Sequence, residues 1–352
     1  MDIPATRIPH TFETFTTQGG ARIHRIPMNA FPNFWAYAYL VLVDEFFVLI
    51  DTGSGFGDSN THLEQGFELA SRAAGRTLRI EDLTHILITH GHIDHFGGLP
   101  FLRPRVHAVV GVHELDRGNL TNYEERIVTA GNRLKAYLVE AGVPPEKRQA
   151  VLDLHRINKE LFHSVPIDLT YEQAGMRVGP FEILHVPGHC AGQVVIRLHD
   201  ILFSGDHVLD GISPHQWPER LTLYTGLRHY LQSLTLLSGW AGGASLTLAG
   251  HNRPIRDLPA RMEEIRALHL LRLNKALEFL TETHTIAEVS RELFGRVSGY
   301  DVLLAIEEAG AHVEYLQQHG LLRIVNLAEL EASDGPVVTR YQRLDGSVSV
   351  SV

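Results

Sequence analysis

Cysteine occurs once in these 352 residues, at position 190, so no internal disulfide can staple the fold and a reducing compartment is the simpler expectation. Long apolar runs are missing too. The longest, Phe34 to Val43, is too short for the roughly 20 residues that cross a bilayer, and it reads instead as a strand paired with Phe46 to Ile50 across the Asp44-Glu45 turn. The start of the chain, Met1-Asp-Ile-Pro-Ala-Thr-Arg7, has neither a basic beginning nor an apolar signal core. These absences predict a cytoplasmic protein without membrane attachment. Positive charge is also scarce: 31 Lys and Arg against 41 Asp and Glu give a net −10, which disfavours nucleic acid as a partner. Arg103, Arg105, Arg117 and Arg126 are dispersed. They read as solvated surface, or as the lining of a mouth for a phosphate-bearing group.

What the chain does have is histidine at informative spacing. Thr89-His90-Gly91-His92-Ile93-Asp94-His95 places three imidazoles and a carboxylate within six positions, directly after the apolar Ile86-Leu87-Ile88, which predicts a buried strand. Side chains two apart on an extended chain point the same way, so His90 and His92 can converge on one ion. Gly91 lets the backbone turn, and a helix after His95 would bring Asp94 and His95 to a second ion. Imidazole with carboxylate suits zinc, iron or manganese, and such a set is costly to bury without a ligand. Three more apolar runs end in a glycine followed by a candidate ligand: Phe181 to Pro187 before Gly188-His189, Ile201 to Ser204 before Gly205-Asp206, and Ser245 to Ala249 before Gly250-His251.

In order and setting, these motifs resemble the metallo-β-lactamase-fold hydrolases over about residues 20 to 255. The resemblance implies an α/β fold, the αββα sandwich of that family. It also implies two divalent metal ions, zinc with iron or manganese as alternatives. By it, His90, His92 and His189 hold the first ion, Asp94, His95 and His251 the second, and Asp206 bridges them. Asp94 and Asp206 are the implied catalytic carboxylates, Asp94 steering the proton of the attacking water. Asp51, at the end of Phe46 to Ile50, is similar to the family's early aspartate that orients the site from behind. His85 reads as a core or supporting histidine and Cys190 as a small buried thiol. His207, next to Asp206, is open between core and pocket.

Subgroups separate partly. A flavodiiron reductase carries glutamate where this chain has His92. The β-CASP nucleases insert a large domain where only 44 residues separate Asp206 from His251. Acyl-homoserine lactonases place a tyrosine three residues after the bridging aspartate, where Leu209 stands; Tyr224 is the candidate substitute. The glutathione-binding helices of glyoxalase II are not evident.

The pattern divides the chain into a hydrolase domain, residues 1–257, and an appended domain, 258–352. A helical insertion at about 113–165 interrupts the first. Helices are expected over Val112 to Gly142 and Glu146 to His163, and their apolar residues Leu134, Tyr137, Leu138, Val151, Leu152 and Leu154 either contact an acyl chain or pack the helices on one another. After His251, helices over Pro259 to Thr281, Thr285 to Phe294 and Tyr300 to His319 precede strands over Leu321 to Val325 and Val337 to Leu344. This order is similar to a winged helix, and to the module appended in the β-lactamase-like protein 2 group. Residues 259–325 carry seven Lys and Arg against ten Asp and Glu, a net −3, which favours packing, a lid or a homodimer contact over DNA. The expected function is water attack on a small ester, thioester or lactone. The alternatives are a phosphodiesterase or endoribonuclease of the same fold, and a non-enzymatic metal-bound nucleic-acid regulator.

Overall fold

A computed structural model describes residues 10–344 and 350, with side chains except at 154–161; the seven N-terminal residues read above and the Leu154 side chain lie outside them. Two sheets stack face to face. The first runs β1 (Glu13–Thr16), β2 (Arg22–Phe31), β3 (Phe34–Val43), β4 (Phe46–Ile50), β5 (His85–Leu87), β6 (Val109–Val112) and β7 (Leu169–Thr170) in sequence order. Its first four strands pair antiparallel and β4 to β7 pair parallel. The second contains β8 (Arg177–Val178), β9 (Phe181–His185), β10 (Val194–Leu198), β11 (Ile201–Gly205) and β12 (Leu246–Ala249), with β11 and β12 parallel.

Apolar residues on both faces of the central strands explain the layers. Tyr37, Tyr39 and Val41 of β3 and Val48 and Ile50 of β4 meet Val194, Ile196, Leu198, Ile201 and Phe203 between the sheets. The alternate residues, Ala38, Leu40 and Leu49, point outward onto helix α1 (Ser59–Ala74). Val195 and Leu202 point outward from the second sheet onto the remaining helices. Period-two side chains with both faces covered produce continuous apolar runs rather than alternation. The result is helix, sheet, sheet, helix, the αββα sandwich.

Short helices α2 (Ile93–Phe96) and α3 (Leu99–Leu102) follow the histidine motif. The insertion is not one helix from Val112. β6 ends there; α4 (Glu114–Thr121), capped at Leu115 N–H by the His113 ring, breaks at Asn122, φ −133°, before α5 (Tyr123–Glu140) and α6 (Pro145–Leu161). Leu134, Tyr137, Leu138 and Val151 are buried in a core shared with α7 (Leu227–Trp240), α8 (Leu258–Phe279), α9 (Ile286–Phe294) and α10 (Asp301–Gln318), and Leu152 packs against it. This corrects the acyl-contact expectation for those residues: they bind the insertion to the C-terminal helices. The Tyr137 hydroxyl donates to Ile306 O, and Ala287 N–H to Ala141 O.

The C-terminal ladder, β13 (Leu322–Ile324) with β14 (Tyr341–Arg343), encloses a short helix α11 (Leu327–Glu331) that the sequence pattern did not indicate. β14 starts later than the apolar pattern predicts because the Asn326 side chain takes the hydrogen bonds of Val338 O and Arg340 N–H in place of a partner strand. No helix among the described residues is long and apolar enough to cross a membrane.

Candidate metal centre

Strand direction brings the candidate ligands to one place. β9, β11 and β12 run the same way, as do β4 and β5, so Asp51, His90, His189, Asp206 and His251 all follow strand ends at one edge of the sandwich. Backbone bonds tie the two sheets together there: Tyr37 N–H donates to Gly250 O at 2.9 Å and Val194 N–H to Thr89 O at 2.9 Å. Gly250 is required by close approach. A Cβ there would lie 2.3 Å from Asp206 Oδ1 and 2.5 Å from the His95 ring. Gly188 has φ 138° and abuts the Tyr230 backbone, which delivers His189 from a bend no other residue adopts easily.

Three clusters of donor atoms result, each within 4.8 Å: His90, His92 and His189; Asp94, His95 and His251; and His90, His95 and Asp206. Asp206 stands between the first two, 3.7 Å from His189 Nε2, 3.1 Å from His251 Nε2 and 3.4 Å from His95 Nε2. Asp94 Oδ2 is 3.3 Å from His251 Nε2. Every site residue expected from the sequence therefore reaches the cluster.

The surroundings fix how the rings face. His95 Nδ1 donates to Asp51 Oδ2 at 2.8 Å, His189 Nδ1 to His215 O at 2.8 Å, and His251 Nδ1 to Trp35 O at 2.6 Å. With Nδ1 carrying the proton, each Nε2 lone pair points into the cluster. Those three Nε2 atoms and Asp206 Oδ1 are buried without a hydrogen-bond partner. Orphaned buried acceptors are expensive, so the set fits divalent cations.

Electrostatics agree. Burial, and His189 beside it, push His92 down to about 3, the neutral form a metal needs. Burial works against Asp94 and Asp206 ionising, but His95 and His251 overcome it and hold both carboxyls below their ordinary range. In turn Asp206 and Asp94 outweigh burial at His251 and raise it to about 10. The acids draw positive charge into the cluster, and a cation satisfies the same demand.

Several participants were not legible in the sequence. Asp116, buried on α4, accepts from Gly91 N–H at 2.7 Å, Gly192 N–H at 3.0 Å and the Cys190 thiol at 3.2 Å, joining the two ligand loops. No local motif marks it. The carbonyls of Trp35 and His215 carry no side-chain signal at all. Glu307 and Glu308, adjacent acids inside the apolar stretch of α10, were a readable anomaly. Phe31, Phe34, Phe56, Tyr123 and Phe162 form an aromatic wall reaching His251, with the Phe34 ring 4.6 Å from it. The insertion thus touches this wall through Tyr123, at the start of α5, and Phe162, just past the end of α6.

Other candidates fall outside the cluster. His85 packs on Phe46, His207 is buried beside Tyr230, and Tyr224 faces solvent near His229. Arg103 and Arg105 are engaged by Asp168, Glu64 and Glu81. Cys190 belongs to the buried thiol reading: burial and the Asp116 carboxylate push it well above its ordinary value. A disulfide reagent is accordingly expected to label Cys190 only as fast as the protein unfolds, and Cys190→Ser to keep the wild-type metal content. Rapid labelling of the folded protein would contradict this placement.

An αββα sandwich with a histidine and aspartate cluster on its strand-end edge defines a metal-site fold. Residues 36–283 match the Metallo-beta-lactamase superfamily, and the chain belongs to it. A solved metallo-beta-lactamase family protein from Thermus thermophilus is 27% identical with a TM-score of 0.68, over 92% of this chain and 98% of that one. A lactamase-like protein, nscB, of Neosartorya fischeri is 26% identical over 229 residues, 64% of this chain and 54% of that protein. An atrochrysone carboxyl ACP thioesterase of Aspergillus chevalieri is 26% identical over 264 residues, 71% of this chain and 65% of that protein. The chain spans between half and two thirds of the length of these two curated relatives.

Proposed function

We propose that the protein is a dinuclear metal-dependent hydrolase of acyl substrates, thioesters, esters or lactones. The observation that carries this is the set of orphaned atoms, three imidazole Nε2 and Asp206 Oδ1, with an aromatic wall beside it. His90, His92 and His189 would hold one ion, Asp94, His95 and His251 the other, with Asp206 between them and zinc the first choice of metal. Two such ions, when bound, polarise a carbonyl oxygen and acidify water. The chain's own residues do the rest. Asp51, His215 O and Trp35 O orient the imidazoles, Asp94 would steer the proton of the attacking water, and Phe31 and Phe34 offer an apolar bed for an acyl chain. The relative named as an ACP thioesterase supports this substrate class.

A phosphodiesterase or endoribonuclease is the second reading, favoured by the helix and hairpin order of residues 258–352, which we read as a winged-helix-like module. The net charge of −10 and the net −3 of residues 259–325 oppose it. Recognition of RNA needs many phosphate contacts and falls steeply with salt, whereas a small neutral substrate responds little. The expected result is turnover of acyl thioesters or lactones with little salt dependence, and a KM that rises on Phe34→Ala more for long acyl chains than short ones. Efficient RNA cleavage abolished by His92→Ala, with thioesters and lactones untouched by wild type, would reverse the ranking.

A further inference from the structure

Asp51 supports His95 directly, but His189 has only a carbonyl behind it, and what stands behind that carbonyl is unexpected. His215 O and Gln216 N–H belong to one planar peptide, whose two polar groups point in opposite directions. The carbonyl accepts from His189 Nδ1 at 2.8 Å, and the N–H donates to Glu308 Oε2 at 2.7 Å. Glu308, on α10, is buried, and Arg272 of α8 donates to its other oxygen at 2.9 Å. The same Arg272 reaches Ser213 Oγ at 3.1 Å, and Glu307 Oε2 lies 3.3 Å from His215 Nε2. The C-terminal helices thus clamp residues 213–216 from three sides.

We propose that Glu308 is a positioning residue for His189, acting through the 215–216 peptide as a remote carboxylate partner. A negative charge on the N–H side polarises the peptide, making its carbonyl a stronger acceptor for the His189 proton and the far ring nitrogen a better donor to a cation. Despite burial, His215 and the neighbouring histidines keep the Glu308 carboxyl well below its ordinary range, so the charge is present at neutral pH. On this account the segment beyond residue 257 is part of the metal centre, which would be incomplete without α8 and α10. The inference rests on the metal-centre reading given above.

The test is a zinc titration of the full chain against a competing chromophoric chelator, for the parent, Glu308→Gln and Glu308→Ala, each with and without His189→Ala. Loss of a supporting partner weakens a metal site about 10- to 100-fold. Glu308→Ala should raise the dissociation constant of one ion by about tenfold or more and leave the other unchanged. Glu308→Gln keeps the side chain's shape and an oxygen for Gln216 N–H, so it should fall between parent and Ala. In the His189→Ala background, Glu308→Ala should change nothing further, because the residue it acts through is gone. Urea midpoints of the zinc-free variants check that each is folded. Equal weakening of both ions, no weakening, or the same weakening with and without His189 would each overturn the proposal. A parent that binds no zinc would instead overturn the metal-centre reading, and the proposal with it.

Discussion

Asp206→Ala should abolish turnover and empty the metal centre further than any single histidine substitution. The carboxylate lies within 3.7 Å of His189, His95 and His251, so it belongs to neither three-residue group and contacts members of both. Lewis-acid polarisation is worth several kcal/mol, and each ~1.4 kcal/mol is tenfold in rate, so turnover should fall by about a thousandfold or more. His90→Ala removes one donor and should cost one ion. Elemental analysis after expression with added zinc should find close to two ions in wild type, one in His90→Ala and fewer still in Asp206→Ala. Stability reports independently. Bound ions stabilise the fold by mass action, so a chelator should lower the wild-type Tm and leave that of Asp206→Ala nearly unchanged. Well-folded wild type without metal, under metal supply, would sink the assignment.

The candidate ligands were legible because each group follows a recognisable local event, an apolar strand run, ended by glycine before His189, Asp206 and His251, and strand direction alone then carries them to a common edge. The apolar runs of β3, β4 and β11 were legible as strands, and the structure adds that both their faces are covered. What sequence could not show was pairing at a distance. Asp116, 25 residues from Gly91 and 76 from Gly192, acts through backbone N–H groups that leave no mark on residue identity. The fate of the insertion was equally hidden. Leu134, Tyr137 and Leu138 fit an acyl pocket or a helix interface equally well by spacing, and only the position of α8 to α10 decides for the interface. Periodicity reports that a face is buried, not by what.

The largest stability loss is expected at Asp51, a residue that touches no proposed ion. It sits at φ 58°, a left-handed conformation that Asp and Asn tolerate and most residues resist. Its Oδ1 accepts from Thr89 N–H at 2.8 Å, and Oδ2 accepts from the Thr89 hydroxyl and His95 Nδ1, each at 2.8 Å. All of these groups are buried. Asp51→Ala leaves three donors without an acceptor at roughly 1–3 kcal/mol each and puts alanine where it is strained by about 1–2 kcal/mol. Even the low end, about 4 kcal/mol, is a large share of the ~5–15 kcal/mol that holds a typical domain together. Asp51→Asn should lose less. It keeps the backbone conformation and one acceptor oxygen, but turns an amide NH2 towards a hydrogen-bond donor. Urea unfolding in the presence of a chelator separates this structural loss from any loss of metal, and the expected order is wild type, then Asn, then Ala. An Asp51→Ala protein within about 1 kcal/mol of wild type under those conditions would show that Thr89 and His95 find other partners, and that the strand end does not depend on this carboxylate.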